Sequence, residues 1–294
     1  NYNQDIIWYN TKLFAENGIE AAPSTISEFM AMCEKYADPD NGKYFYSLRG
    51  VKPGDNLIGF IFSYADNGGA YFDENGKCVL NQPKFVEGLE LYASLYKNGW
   101  VSGDSVNNNY NEMVAEFGAG TSMMIMHNSS SRSNHVGNLG DGNFAAARPL
   151  ANDESGNYYT SAIQPTLFAI CNTKGEDGDY AGAAKLIEYL TCGEYIVWQS
   201  LHFGRQPVNS KAYEMAYDEL IANDPYLELY NAMLEDEHYK QAQNPYYLSG
   251  WFNFVNTELT NGFQALLIGE KTAQEVADGW CAYLEAELAS YNAE

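Results

Sequence analysis

Ile6-Ile7-Trp8-Tyr9-Asn10-Thr11-Lys12-Leu13-Phe14-Ala15-Glu16-Asn17-Gly18-Ile19 is the stretch from which the architecture can be read outward. Ile6 to Tyr9 is a short apolar run and reads as a strand. Asn10-Thr11 starts a helix of one to two turns, Lys12 to Glu16. Asn17-Gly18 closes it, because glycine adopts the left-handed backbone of a helix end without steric cost.

Just downstream, Pro23-Ser24-Thr25-Ile26-Ser27-Glu28 carries a capping box, with Thr25 at the N-cap and Glu28 three residues on. Ile26, Phe29, Met30, Cys33 and Tyr36 then fall on one helical face. Leu57 to Tyr64 reads as helix, Asp66-Asn67-Gly68-Gly69 as a turn, and Tyr71 to Lys77 as a hairpin built on Asp73-Glu74-Asn75-Gly76. Pro83 opens a helix with Phe85, Leu89, Tyr92 and Tyr96 on one face, ended by Asn98-Gly99. Tyr110 to Phe117 is a further helix, and Thr121 to Met126 a buried strand. That strand leads into His127-Asn128-Ser129-Ser130-Ser131-Arg132, a dense run of hydrogen-bonding groups where loops commonly carry function. Phe144 to Ala147 and Thr166 to Ile170 read as strands on either side of a polar hairpin, Asp153 to Asn157. Beyond Asp179 the pattern is helical: Asp179–Thr191, Glu194–His202, Ser210–Ile221, Pro225–Leu234, Ser249–Ile268 and Thr272–Tyr291, the last opened by a second box, Thr272 to Glu275. Strands mixed with helices early and helices alone late give an α/β class with helical extensions.

The 294 residues suffice for two domains. A net charge of −23 repels phosphate backbones and anionic headgroups, which argues against nucleic-acid and membrane-surface partners. No apolar run approaches the ~18 residues of a membrane span. Asn1 to Asp5 carry neither the basic nor the apolar region of a signal peptide. The 5 cysteines are widely spaced and the 4 histidines fit no metal spacing, so no metal and no cofactor is expected. Nucleophile-elbow, phosphate-loop and dinucleotide motifs are absent, and no catalytic residue is assigned. With 39 acidic side chains, a hydrolytic carboxylate pair is neither supported nor excluded by sequence. The informative bias is aromatic: 24 Tyr, 14 Phe and 5 Trp, beside abundant Asn, a palette suited to stacking on sugar rings and bonding their hydroxyls.

The order of these signals resembles the extracellular solute-binding proteins of ABC importers, the family that includes maltose-binding protein. Trp8 through Ile19 is similar to that family's YNK-x-L-F-x-x-x-G-I stretch, and Pro23 through Phe29 to its P-x-T-W-x-E-F, with Ile26 in place of Trp. Asp66 through Leu80 resembles its GG…D-x-x-G-K hairpin, and Phe117 through Ile125 its F-x-x-G-x-x-A-M strand. Gly204-Arg205-Gln206-Pro207-Val208 and Leu267 through Thr272 resemble late motifs. The resemblance implies a type II periplasmic-binding-protein-like α/β fold and a sugar or oligosaccharide held without turnover in an interlobe cleft. It implies delivery to ABC permease subunits, a monomer when intact, and a periplasmic or cell-surface lipoprotein location. It also implies that members carry about one small domain more before the Trp8 stretch. On that analogy residues 1–168 and 225–294 form the second lobe, one lobe nearly complete, and 169–224 a returning fragment of the first. A secreted glycoside hydrolase or lyase is the rival reading.

Two motifs depart from the family's pattern. His127-Asn128-Ser129 stands where many members have GPW, and Gln164-Pro165-Thr166 where many have GGW, so polar groups replace two stacking indoles. The ligand-binding candidates carried over are Trp251, Tyr64, His127, Asn128, Ser129, Arg205 and Gln164. Each has a structural alternative. Trp251 and Tyr64 can be core, and His127 to Ser129 a helix N-cap with an exposed imidazole. Arg205 can pair with surface acids, and Gln164 inherits only a backbone position.

Overall fold

The structure is a computed structural model that describes residues 2–161, 164–165, 167–173, 175, 178–203 and 205–293. In chain order its elements begin with β1 (Tyr2–Asn3), β2 (Asp5–Asn10), α1 (Thr11–Glu16), α2 (Ile26–Lys35), β3 (Tyr44–Tyr46), α3 (Gly54–Ala65), α4 (Pro83–Lys97), α5 (Tyr110–Gly118), β4 (Ser122–Asn128), α6 (Arg132–Leu139) and β5 (Phe144–Ala147). They continue with β6 (Tyr158–Thr160), β7 (Gln164–Pro165), α7 (Ala181–Leu190), α8 (Gly193–Phe203), α9 (Ser210–Asn223), α10 (Leu227–Glu235), β8 (Tyr239–Gln241), α11 (Trp251–Asn253), α12 (Leu259–Leu267) and α13 (Ala273–Ala293).

The central sheet has the order β3-β4-β2-β5, with β4 and β5 antiparallel to β2 and β3 parallel to β4. Strand side chains alternate between faces. Ile7, Met124 and Met126 therefore enter one core, while Ile6, Trp8 and Ile125 enter the other. Burial on both faces explains why these strands are almost wholly apolar. The first core continues through Phe29, Phe62, Tyr92 and Phe263 of α2, α3, α4 and α12. The second is built around Trp8, whose ring meets His135, Phe144 and Tyr226 edge-on at 5.2, 5.5 and 5.3 Å. Such pairs add about 0.5–1.5 kcal/mol beyond area burial.

Local signals hold where they are strongest. The Glu28 N–H donates to Thr25 Oγ1 at 3.3 Å and Thr25 N–H donates back to Glu28 at 3.4 Å. The Ser24 N–H and hydroxyl, and after them the Thr25 N–H, hold the Glu28 carboxyl below its ordinary value. Thr272 and Glu275 repeat the arrangement at the head of α13.

Two expectations are corrected and one is refined. β4 runs past Met126 through His127 and Asn128, because these residues pair with Ile6 and Asp5. The polar run is thus partly strand. Leu167 to Ile170 form no strand and are exposed; only Gln164–Pro165 pairs, with Tyr2–Asn3, and Thr166 lies outside the described residues. An apolar run without a neighbouring backbone has nothing to complete its ladder. Ser249–Ile268 is helical without a break from Trp251 to Leu267, but Phe254–Glu258 between α11 and α12 winds as a π-turn. Unforeseen by the pattern, β6 and β8 pair in parallel, joining two segments far apart in sequence.

The stretch 167–217 differs in character from the rest. Leu167, Leu186, Tyr189, Val208 and Met215 are exposed large apolar side chains, Met215 at 89%. α7 has no buried residue despite an apolar sequence.

Candidate functional site

A groove of about 580 Å³ opens where the first turn of α3, the end of β6 and the loop before α11 converge. The loop is shaped by tight backbone bonds, Asn244 N–H to Ala242 O, Tyr246 N–H to Asn244 O and Leu248 N–H to Pro245 O. Successive reversals hold the chain folded on itself and turn Tyr246 and Tyr247 outward, each 52% exposed. The head of α11 is tied to α13, with Gly250 N–H donating to Glu287 Oε2 at 2.8 Å and Tyr283 Oη donating to Gly250 O at 3.2 Å.

One wall is aromatic. The Trp251 ring stands edge-on to Tyr71 at 5.3 Å and to Tyr246 at 6.1 Å, and stacks on Phe254 at 5.4 Å. Trp251 is only 3% exposed, whereas Phe252 beside it is 68% exposed. Trp251 therefore supplies the backing of the wall, and Phe252 and Tyr246 supply its free faces. Gly54 forms part of the floor; a Cβ there would stand 3.1 Å from Val255 Cγ1, which narrows the groove.

Beside this wall runs a polar edge centred on Asn244. Its Oδ1 accepts from the Tyr71 hydroxyl at 3.0 Å, and its Nδ2 donates to Ser161 O at 2.6 Å and to Tyr246 Oη at 3.1 Å. Ser161 in turn donates through its N–H and Oγ to Asp5 Oδ2, at 3.1 and 2.7 Å. A thread of hydrogen bonds thus runs from the groove to the first residue of β2, which lies opposite Asn128 in the sheet. Burial holds the Tyr71 hydroxyl far above its ordinary pKa, so it remains a neutral donor. The described lining includes no Asp or Glu. The arrangement can bind a neutral, hydroxyl-bearing molecule with C–H-rich faces, and its described lining holds no charged side chain.

The sequence candidates are not gathered into one place. Trp251 lines the groove. Tyr64 packs over Gly88 of α4, with Lys84 above its ring at 5.6 Å and Glu87 at 3.5 Å from its hydroxyl. His127 is 8% exposed rather than open to solvent, and its ring lies 4.4 Å from that of Tyr110. Burial first, then the Arg49 charge, lowers the His127 pKa to about 3, so the imidazole is neutral. Asn128 is the N-cap of the 3₁₀ turn Ser129–Ser131, accepting from Ser130 N–H at 3.2 Å. Ser129 is fully buried on Gln206. Arg205 and Gln206 border a small recess with Asp224 and Leu227. Gln164 pairs through its backbone with Asn3, and its side chain lies outside the described residues. Asn244, Tyr246, Phe252 and Ser161 were missed. Asn244-Pro245-Tyr246-Tyr247 carried a usable signal, two aromatics following an Asn-Pro turn.

Among the described residues no helix is long and apolar enough to cross a membrane, and no cluster of His, Cys, Asp or Glu could hold a metal ion.

The family profile described as bacterial extracellular solute-binding protein matches residues 1–228. No curated protein sequence matches. Among solved structures, maltose-bound MalE3 of T. maritima superimposes with a TM-score of 0.75 at 18% identity, over 97% of this chain and 70% of that one. A solute-binding protein of an ABC transporter from Thermotoga lettingae, bound with alpha-D-tagatose, gives 0.76 at 19%, over 98% and 71%. One from Agrobacterium vitis with bound D-mannitol gives 0.74 at 19%, over 98% and 72%. At these identities the likeness is one of fold.

Proposed function

From a chain that belongs to the bacterial extracellular solute-binding protein family, we propose a carbohydrate-binding component of an ABC importer that holds a sugar or polyol in the groove beside Trp251. The observation that carries this is the pairing of free aromatic faces on Phe252 and Tyr246 with the Asn244–Ser161 polar edge. A ring or extended polyol presents C–H groups to the first and hydroxyls to the second. That similar folds hold maltose, tagatose and mannitol supports the class of ligand. Residues 1–168 and 225–294 then act as one lobe and 169–224 as part of the other. Ligand contacts on both sides favour a closed state, which permease subunits recognise outside the cytoplasmic membrane.

No turnover is expected. The groove's described lining lacks the two carboxyl groups that glycoside hydrolysis uses. A thermal-shift screen of monosaccharides, oligosaccharides and sugar alcohols, with a reducing-end assay on each mixture, tests both halves. Saturable stabilisation by at least one neutral sugar without hydrolysis is the expected result. Hydrolysis proportional to protein concentration, or stabilisation by anionic solutes alone, would overturn the reading.

A further inference from the structure

Cys78 and Cys281 are remote in sequence and adjacent in the first core. Lys77 to Asn81 runs along α13 and is pinned to it at both ends. Lys77 Nζ lies 3.2 Å from Glu285 Oε2, and Cys78 N–H donates to Glu285 Oε1 at 3.0 Å. Asn81 Nδ2 donates to Asp278 Oδ1 at 2.9 Å. Asp278, Cys281 and Glu285 succeed one another about a turn apart on one helix face. The clamp therefore closes on either side of Cys281 and presses Cys78 toward it. Both cysteines are buried, at 4% and 3% exposure. Each thiol is the leading electrostatic influence on the other, raising Cys78 and lowering Cys281, as fits two sulfurs held side by side by the clamp. Cys33 is buried elsewhere, and Cys171 is exposed.

We propose that Cys78 and Cys281 become joined by a disulfide, stapling the Tyr71–Leu80 hairpin to α13 behind the aromatic wall of the groove. The extracytoplasmic reading enters only as the source of oxidant, since disulfides persist where thiols are not kept reduced. The co-reactant is a disulfide, R–S–S–R, from a small molecule or an oxidoreductase. The thiolate of one cysteine attacks a sulfur of R–S–S–R, forming a mixed disulfide and releasing one RS⁻. The second cysteine, deprotonated, attacks the mixed disulfide at the protein sulfur and releases the other RS⁻. The two protein thiols lose two electrons and two protons in total, and R–S–S–R becomes two RSH. Because both sulfurs are buried, the exchange takes place during folding or local opening, before the hairpin seats on α13. The bond would close a loop of roughly 200 residues, long enough for a large effect on the unfolded chain.

The test uses the 294-residue chain with Cys171→Ser and Cys192→Ser, which removes the cysteines outside the core. It is unfolded, refolded in reduced and oxidised glutathione, blocked with iodoacetamide and mapped by mass spectrometry after digestion. The expected result is one cross-linked pair of peptides, containing Cys78 and Cys281, with Cys33 recovered as an alkylated thiol. The Tm of the oxidised form should exceed that after dithiothreitol by roughly 5–15 °C. Cys281→Ala on this background should lose both the cross-link and the shift; should it not fold, the peptide map of the parent still decides. Recovery of Cys78 and Cys281 as alkylated thiols from the folded fraction, or a cross-link through Cys33, would overturn the proposal. No sugar enters the test, so its outcome is separate from that of the ligand screen.

Discussion

The Ser129 hydroxyl donates to Gln206 Oε1 at 3.1 Å between two side chains that are both buried. Ser129 N–H also donates to the Gln4 carbonyl, so the end of β4 is fastened at once to β2's approach and to the segment between α8 and α9. Ser129→Ala leaves a buried amide oxygen without its donor, at an expected cost of about 1–3 kcal/mol. Urea unfolding should show a lower midpoint at unchanged m. A change below about 0.5 kcal/mol would mean that the bond carries no stability.

Trp251 and Phe252 are neighbours in sequence and should separate in experiment. Trp251→Ala removes a ring packed among Tyr71, Tyr246 and Phe254 and should cost about 3–5 kcal/mol of stability. Phe252→Ala removes an exposed face; stability should hold while affinity for the best ligand of the screen drops about 5–30-fold. Calorimetric titration and thermal melting of both variants check this. A Phe252→Ala protein that binds normally would move the ligand away from this wall.

Stability should fall as pH drops from 7 to 5. Burial lowers both His127 and His135 to about 3. The unfolded chain then takes up protons near pH 6.5 that the folded chain refuses, so stability is whole above about 6.5 and lost on the way down to about 3. Each histidine contributes a loss of about 2 kcal/mol by pH 5. The carboxylates with lowered values, Glu28, Asp66, Asp236 and Glu275, act only below the ordinary carboxylate range, whereas Asp224, raised by burial, gains stability as pH falls and offsets part of the imidazole loss on the acid side. Replacing His127 by Gln should remove about half the slope in denaturant titrations at pH 7, 6 and 5. An unchanged slope would show that His127 is protonated in the folded protein.

The exposed apolar side chains of 167–217 predict self-association. Light scattering should show mass rising with concentration, and Leu186→Lys with Met215→Lys should reduce it without lowering Tm. A monomer at all concentrations would mean that these side chains do not form an adhesive face.

Much of the fold was legible because its signals are local. Thr25 with Glu28 and Thr272 with Glu275 announce helix starts within four residues, and Asn17-Gly18 announces an end. The parallel pairing of Tyr158–Thr160 with Tyr239–Gln241 was not legible, since its partner lies about 80 residues on and nothing in either triplet names the other. The groove was half legible for the same reason. Trp251 could be picked out from its place at a helix head, whereas Asn244 acquires its role only when Tyr71, Ser161 and Tyr246 arrive from three separate segments. His127 misled because a polar residue in a polar run reads as exposed, while its pairing with Ile6 draws it inside.

The placing of the indoles equips the chain with its own optical reporter. Trp8 and Trp280 are enclosed in the two cores, Trp100 is half-buried against the first, and Trp198 is 43% exposed on α8, where iodide can reach it. Of the five, Trp251 is the one in the described groove lining, and a sugar laid against Phe252 and Tyr246 would displace water from the ring's immediate surroundings. Iodide suppresses the Trp198 contribution and leaves the enclosed Trp8 and Trp280 as a constant background, so the change in emission on adding sugar reports the groove and follows occupancy in the unlabelled protein.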